Sequence, residues 1–184
     1  VTLVIAEYIK AMTAEGKEIA PPEAKSHWTL NAGTSPAADT VTRLQFAESL
    51  YQAMTADSET LAAPADEPFT DIADNTAILW LSGQKVISGD GTGKFNPNAP
   101  ITREQAAVML MNAAAALDKG PQGAWAVQIP YADASSISPW ASEGVMWNVI
   151  QKYLPVGADN QFAPQGTLTQ ADADAAIAAL MAQK

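Results

Sequence analysis

The chain repeats itself, and this limits its fold more than any other feature. "VTRLQFAESLYQAM" (41–54), "ITREQAAVMLMNAA" (101–114) and "LTQADADAAIAALM" (168–181) each open on an apolar residue and a threonine. Gln45, Gln105 and Asp172 stand three residues after Thr42, Thr102 and Thr169. A threonine hydroxyl at a helix N-cap accepts the third backbone N–H, and an amide or acid at that third position can reach back, so each copy predicts a full or partial capping box. Apolar residues then recur at helical spacing: Phe46, Leu50 and Ala53; Ala106, Met109, Leu110, Ala113 and Leu117; Ala173, Ile177 and Leu180. The threonines are 60 and 67 residues apart.

The similarity extends upstream. "FNPNAPIT" (95–102) pairs with "FAPQGTLT" (162–169), and "PFTDI" (68–72) with "PYADA" (130–134). Between them lie two helical stretches, "NTAILWLSGQKVI" (75–87) and "PWASEGVMWNVI" (139–150). The first copy is worn: "AEYIKAMTAEGKEI" (6–19) lacks the aromatic–x–Asp opening, and residues 21–40 lack a Phe–x–Pro element. Each unit thus reads as helix, Gly/Pro-rich loop, capped helix. A unit of about 55 residues is marginal alone, so three are expected to share one core with the capped helices bundled at its centre. The expected boundaries are 1–60, 61–122 and 123–184, joined through "ETLAAPADEP" (59–68) and "DKGPQGAWAVQ" (118–128).

Composition narrows the partners. Twenty acids against ten bases give a net charge of −10, which opposes nucleic-acid binding. An anionic partner would need a local basic site that prevails within about 8 Å, the Debye length at physiological salt. No apolar run approaches the roughly 20 residues of a membrane span, so no membrane insertion is expected. With no cysteine the chain has no disulfide, catalytic thiol or thiolate metal site. It opens at Val1 without a basic-then-apolar leader, and any export signal is expected to have been removed or never present.

Residues 68–117 resemble an S-layer homology domain. The resemblance is carried by Phe69–x–Asp71, by the loop "ISGDGTGKFNP" and by the helix start "ITREQA", a version of the family's Thr-Arg-Ala-Glu motif. Residues 129–181 resemble a divergent repeat of that family, and 1–56 a further one with an altered loop. The resemblance implies a mainly α, pseudo-threefold trimer of repeats formed by a single chain around a central three-helix bundle. It also implies an extracellular, non-enzymatic module that anchors an S-layer protein or exoenzyme to the bacterial wall. The implied partner is an anionic glycan, either a secondary cell-wall polysaccharide often carrying a pyruvate ketal or a modified peptidoglycan. It is held in grooves between repeats with the motif arginine as a contact, while a cargo protein or S-layer lattice is attached; no cofactor is implied.

Against that background Arg103 and Arg43 draw notice. Each would be the first helical residue, where a cation is disfavoured by roughly 0.3–1 kcal/mol. A helix N-terminus supplies free N–H groups for an anion, and an arginine adds a forked, permanent charge for a carboxylate. Gln170 replaces the arginine in the third copy, so at most two grooves are expected to work.

The remaining candidates divide between site and scaffold. Sugar sites use aromatic faces, and Trp140 and Trp28 are the tryptophans placed to line a groove, whereas Trp80 and Trp147 fall inside amphipathic helices and read as core. Gly89, Gly91 and Gly93 read as positive-φ residues of a tight loop, with the loop's N–H groups and Lys94 as further ligand contacts. Read from Asp90 as a calcium loop, the segment lacks the bidentate acid at position 12, where Ile101 stands. Asp71 and Asp133 read as caps of the helices that follow them, and Glu104 and Gln105 as residues serving the helix start. His27 is the chain's one histidine, and with neither a metal cluster nor a Ser/His/Asp triad convincingly built around it, it reads as a surface residue. Lys85 and Lys17 read as a solvated helix face. Two other readings stand beside the anchor: a protein-interaction or self-assembly module that has lost glycan binding, and a glycan hydrolase. The latter needs two carboxyls roughly 5–10 Å apart across a cleft, and no pair is evident.

Overall fold

The computed structural model describes residues 40–56, 68–123 and 127–183, all within the compact unit Ser35–Lys184. Trp28, His27, Lys17, Trp125 and the expected helix at 6–19 lie outside the described residues.

The described chain is mainly α. Its α-helices are α1 (Arg43–Thr55), α2 (Thr76–Gly83), α3 (Arg103–Ala116), α4 (Ser142–Gln151) and α5 (Gln170–Ala182). One-turn helices at Ala134–Ser136, Pro139–Ala141 and Ala158–Asn160 complete the regular structure. The three repeated helices start where the capping pattern puts them. Thr42 and Thr102 close full boxes with Gln45 and Gln105. Thr169 accepts the N–H of Asp172 at 3.2 Å and donates its hydroxyl to the Asp172 carboxylate at 2.8 Å.

The expected helix 75–87 is shorter than its periodicity suggests. Asn75 caps α2 through Ile78 N–H at 3.0 Å. The helix then stops at Gly83, and Lys85 takes φ 59° while Val86 N–H bonds back to the carbonyl of Leu81. Helix α4 stops in the same way, with Lys152 left-handed at φ 58°. In both, a lysine fills a position where glycine is the usual choice.

The first two repeated helices pack on the helix that opens the following copy: α1 on α2, and α3 on α4. Helix α5 packs on both α1 and α3. The buried face holds Phe46 and Leu50 of α1, Leu110 and Ala113 of α3, and Ala176 and Leu180 of α5. Leu117 and Ala53, expected in the core, are only partly buried against it. Trp80 and Trp147 are core residues, and Trp80 meets Tyr51 of α1 edge-on at 5.5 Å.

The residues just before the three capped helices hold one another in a closed triangle. Val41 N–H donates to the Leu168 carbonyl at 3.0 Å, Leu168 N–H to Ile101 at 3.4 Å, and Ile101 N–H to Val41 at 2.9 Å. All three side chains are buried, and antiparallel bridges flank the triangle at Thr40–Thr169, Thr42–Pro100 and Thr102–Thr167. Every buried N–H needs an acceptor, and here each copy supplies the next.

Candidate functional site

Arg43 and Arg103 reach out of their own copies and grip the loop of the next. Arg43 Nε donates to the Phe95 carbonyl at 2.8 Å and Nη2 to Ser88 at 3.2 Å, and its guanidinium stands 4.7 Å from the centre of the Phe95 ring. Arg103 repeats this one boundary along: Nε donates to the Phe162 carbonyl at 2.6 Å, Nη2 to Pro155, and the guanidinium lies 5.0 Å over the Phe162 ring. The two rings are braced alike, Phe95 against Phe69 at 5.4 Å and Phe162 against Tyr131 at 5.3 Å. Gln170, which takes the arginine's place in the third copy, bonds locally to Asp174 at 2.8 Å.

The helix N-termini are not open for an anion. Arg43 and Leu44 N–H groups donate to the carbonyls of Ala99 and Pro97, and those of Arg103 and Glu104 to Gly166 and Pro164. The threonine caps take the next ones, at Gln45 and Gln105. The expectation of free backbone donors is therefore corrected: the neighbouring loop fills them. Any anion chemistry falls to the guanidinium groups.

Asp71 and Asp133 are a second correction. Neither caps the helix after it. Asp71 accepts the N–H groups of Phe95 and Asn96, both at 2.8 Å, and Asp133 those of Phe162 and Ala163 at 2.9 and 2.7 Å. Each aspartate thus fastens the start of its copy to the loop that carries the gripped phenylalanine. Desolvation pushes the Asp71 carboxyl up, but the N–H groups of Phe95, Asn96 and Asp71 itself, with the charge of Lys94, together outweigh it and hold the group below its ordinary range.

The glycine loop is built by three different means. Gly91 and Gly93 have φ 85° and 84°, as expected. Gly89 does not; a Cβ there would lie 2.7 Å from the Lys94 carbonyl oxygen and 3.0 Å from Phe69, so its need is closeness rather than handedness. Asp90 organises the rest, accepting from Thr92 N–H at 2.8 Å, Thr92 Oγ1 at 2.7 Å and Asn96 Nδ2 at 2.9 Å. These bonds, the Thr92 hydroxyl foremost, stabilise the ionised form and hold the Asp90 pKa well below the usual carboxylate range. Lys94 projects from the exposed face of the loop and does not line the cleft described next.

A cleft of about 580 Å³ opens beside Arg43. Ser88, Gly89, Asp90 and Gly91 form its loop wall, and Gln105, Val108, Met109 and Asn112 of α3 its helical wall. Trp140, the most exposed large apolar residue of the described chain at 58%, stands on its rim. The structure thus brings together Arg43, Gly89, Gly91, Gln105 and Trp140 from the sequence reading. Ser88, Asp90, Asn96 and Asn112 join them without having been singled out as ligand contacts. Only their place across the repeat boundary marks them, and chain spacing does not display it. Arg103 is not among the residues lining this cleft. At its own boundary the counterparts of Ser88, Gly89, Asn96 and Asn112 are Pro155, Val156, Ala163 and Ala179, which carry no side-chain hydrogen-bonding group.

Arg43 is 7% exposed. Burial lowers its affinity for its proton, and Asp90 and Asp71 restore part of it through their charge. Arg103 shifts in the same direction, again through burial, with Asp172 the largest opposing charge. Nη1 of Arg43 donates to no group among the described residues.

Copies of one helix–loop–helix unit, fastened by arginines across their boundaries, are the class of structure that the fold and the cleft define. The S-layer homology domain model matches the chain at residues 68–107 and 130–173. That family is known for non-catalytic anchoring at the cell wall and for association with the cell surface. An endoglucanase of Bacillus sp. (strain KSM-635) is 29% identical over an alignment of 157 residues that covers 82% of this chain and 16% of that protein. The chain therefore spans about a sixth of the relative's length. No described helix is long and apolar enough to cross a membrane.

Proposed function

We propose that the chain comprises three S-layer homology repeats, at 1–60, 61–122 and 123–184, closed into a pseudo-threefold unit around the capped helices. In this reading it anchors an attached cargo protein or S-layer lattice to the outside of a bacterial cell by holding an anionic wall polysaccharide. The observation that carries the reading is Arg43: a largely buried guanidinium whose Nη1 donates to no group among the described residues, on the wall of an open cleft that also presents a tryptophan face and amide side chains. A bound carboxylate, such as a pyruvate ketal, would return the electrostatic stabilisation that burial removes from the cation. Trp140 offers a ring face to the C–H side of a sugar, and Ser88, Gln105 and Asn112 offer hydroxyl partners at the same opening.

Arg43 is the arginine assigned to the ligand. Arg103 makes the same grip at a boundary where Pro155 and Ala179 replace Ser88 and Asn112, and its role in this reading is to hold the second and third copies together. The chain's net charge of −10 is screened beyond a Debye length, so a glycan carboxylate at this range meets chiefly Arg43 and the Asp90 carboxylate on the same cleft wall.

The test is sedimentation with wall sacculi, native and after hydrofluoric acid has stripped the secondary polysaccharide. Binding to native sacculi alone, with stronger calorimetric affinity for a pyruvylated disaccharide than for its unmodified twin, is the expected result. Equal retention on stripped sacculi would overturn the reading in favour of a protein-interaction or self-assembly module. Equal affinity for the two disaccharides would overturn the carboxylate as the recognised group.

A further inference from the structure

Glu104 is 2% exposed, one of the few charged or polar residues buried in the described chain. It was expected to serve the start of its own helix, but its carboxylate faces the next copy. Oε2 accepts the N–H of Ser138 at 3.0 Å, and Oε1 accepts the Ser138 hydroxyl at 2.8 Å and Nε2 of Gln165 at 2.7 Å. Three donors converge on a group that, when ionised, only accepts. Burying a carboxylate is costly unless it is fully bonded, so the residue calls for a reason beyond stability. The corresponding positions in the first and third copies are Leu44 and Ala171, so the acid belongs to this boundary alone.

Ser138 leads directly into Pro139 and Trp140. Its backbone is extended at φ −63°, ψ 140°, as a residue before proline favours, and its carbonyl accepts the N–H of Ala141 at 2.9 Å. Fixing Ser138 therefore leaves the next two residues little freedom. Gly144, one turn on, supplies a second fixed point: a Cβ there would fall 2.8 Å from the backbone of Val108, and Val108 itself lines the cleft. Trp140 is more than half exposed and has little packing of its own to set its position. The turn beneath it is held at both ends by α3.

We propose that Glu104 is a positioning residue for Trp140, clamping Ser138 so that the indole is presented at the rim of the Arg43 cleft. The proposal rests on the glycan reading for its effect on affinity, but not for the mount itself. Glu104→Gln keeps the shape and puts an amide N–H₂ against one of the converging donors. Ser138→Ala removes one donor and leaves the fold less disturbed.

Two measurements test it. In protein labelled with fluorotryptophan, with Trp140→Phe assigning the resonance, both variants are expected to shift or broaden the Trp140 fluorine signal and leave that of Trp80 unmoved. An unmoved Trp140 signal in both folded variants overturns the proposal. In calorimetry with the pyruvylated disaccharide, Glu104→Gln is expected to weaken binding about tenfold in the wild-type background and to have no further effect beside Trp140→Ala. An undiminished effect in the Trp140→Ala background overturns action through the tryptophan. If the wild-type protein binds no disaccharide, the glycan reading fails, while the fluorine signal still decides whether Glu104 mounts Trp140.

Discussion

Arg43 donates through Nε to the carbonyl of Phe95 at 2.8 Å and places its guanidinium 4.7 Å above the ring of the same residue. One side chain thus takes both the backbone and the face of a phenylalanine in the neighbouring copy. Hydrogen bonds from a charged donor contribute about 1.5–3 kcal/mol each, and a desolvated cation–π contact about 2 kcal/mol. Against these, the roughly 0.3–1 kcal/mol lost by placing a cation at a helix N-terminus is small. The arginine is favoured at that position even before a ligand arrives.

Arg43→Ala and Arg103→Ala should therefore both destabilise, each by about 2–4 kcal/mol, because the carbonyls and the ring lose their partner together. Urea unfolding measures this. The two should part company on native sacculi: Arg43→Ala loses retention, and Arg103→Ala, assayed at a temperature where it is folded, keeps it.

Asp71→Asn should be less stable than the wild type in a manner that depends on pH. The folded-state carboxyl is depressed, so its contribution is present above the ordinary value of 3.8 and is lost as pH falls through the folded value. The gap between the two urea midpoints should be constant at neutral pH and shrink below that value. A gap that widens on acidification would contradict the assignment of Asp71 as acceptor for Phe95 and Asn96.

Gly89→Ala should cost about 1–3 kcal/mol, since the added methyl meets backbone rather than a movable side-chain end. Gly91→Ala meets no atom, and its cost should be the smaller one of holding alanine at positive φ. Comparing the two thermal midpoints separates steric closeness from handedness within a single loop.

Lys85→Gly should stabilise by about 0.5–1 kcal/mol. The lysine is exposed and left-handed at the end of α2, where a side chain is a strain that glycine does not carry. A loss of stability would show that the lysine side chain contributes more than its backbone conformation costs.

Much of the scaffold was legible because it is written in local spacing. Threonine, glutamine three residues on, and an apolar stripe fix where α1 and α3 start and which faces they bury. The site was legible only in part. Arg43 and Trp140 stand out by chemistry, yet nothing in one dimension shows that they meet across a cleft, since they come from different copies. Asp71 was misread for the same reason: its nearest backbone donors in sequence are those of α2, while its actual donors are contributed by residues 95 and 96. Glu104 was misread because position two of a helix usually answers to its own N-terminus, and here the neighbouring turn competes for the carboxylate with two donors from Ser138. The early end of α2 was hidden because Lys85 gives no warning of a left-handed backbone.

The triangle of Val41, Ile101 and Leu168 has a mechanical meaning. A tug on the downstream end of the chain reaches Leu168 and is passed sideways to Val41 and Ile101, instead of running back link by link through the covalent order. The three helix starts are thereby coupled directly through backbone hydrogen bonds. In the anchoring role proposed above, such a knot of backbone bonds would spread a pull over three helix starts.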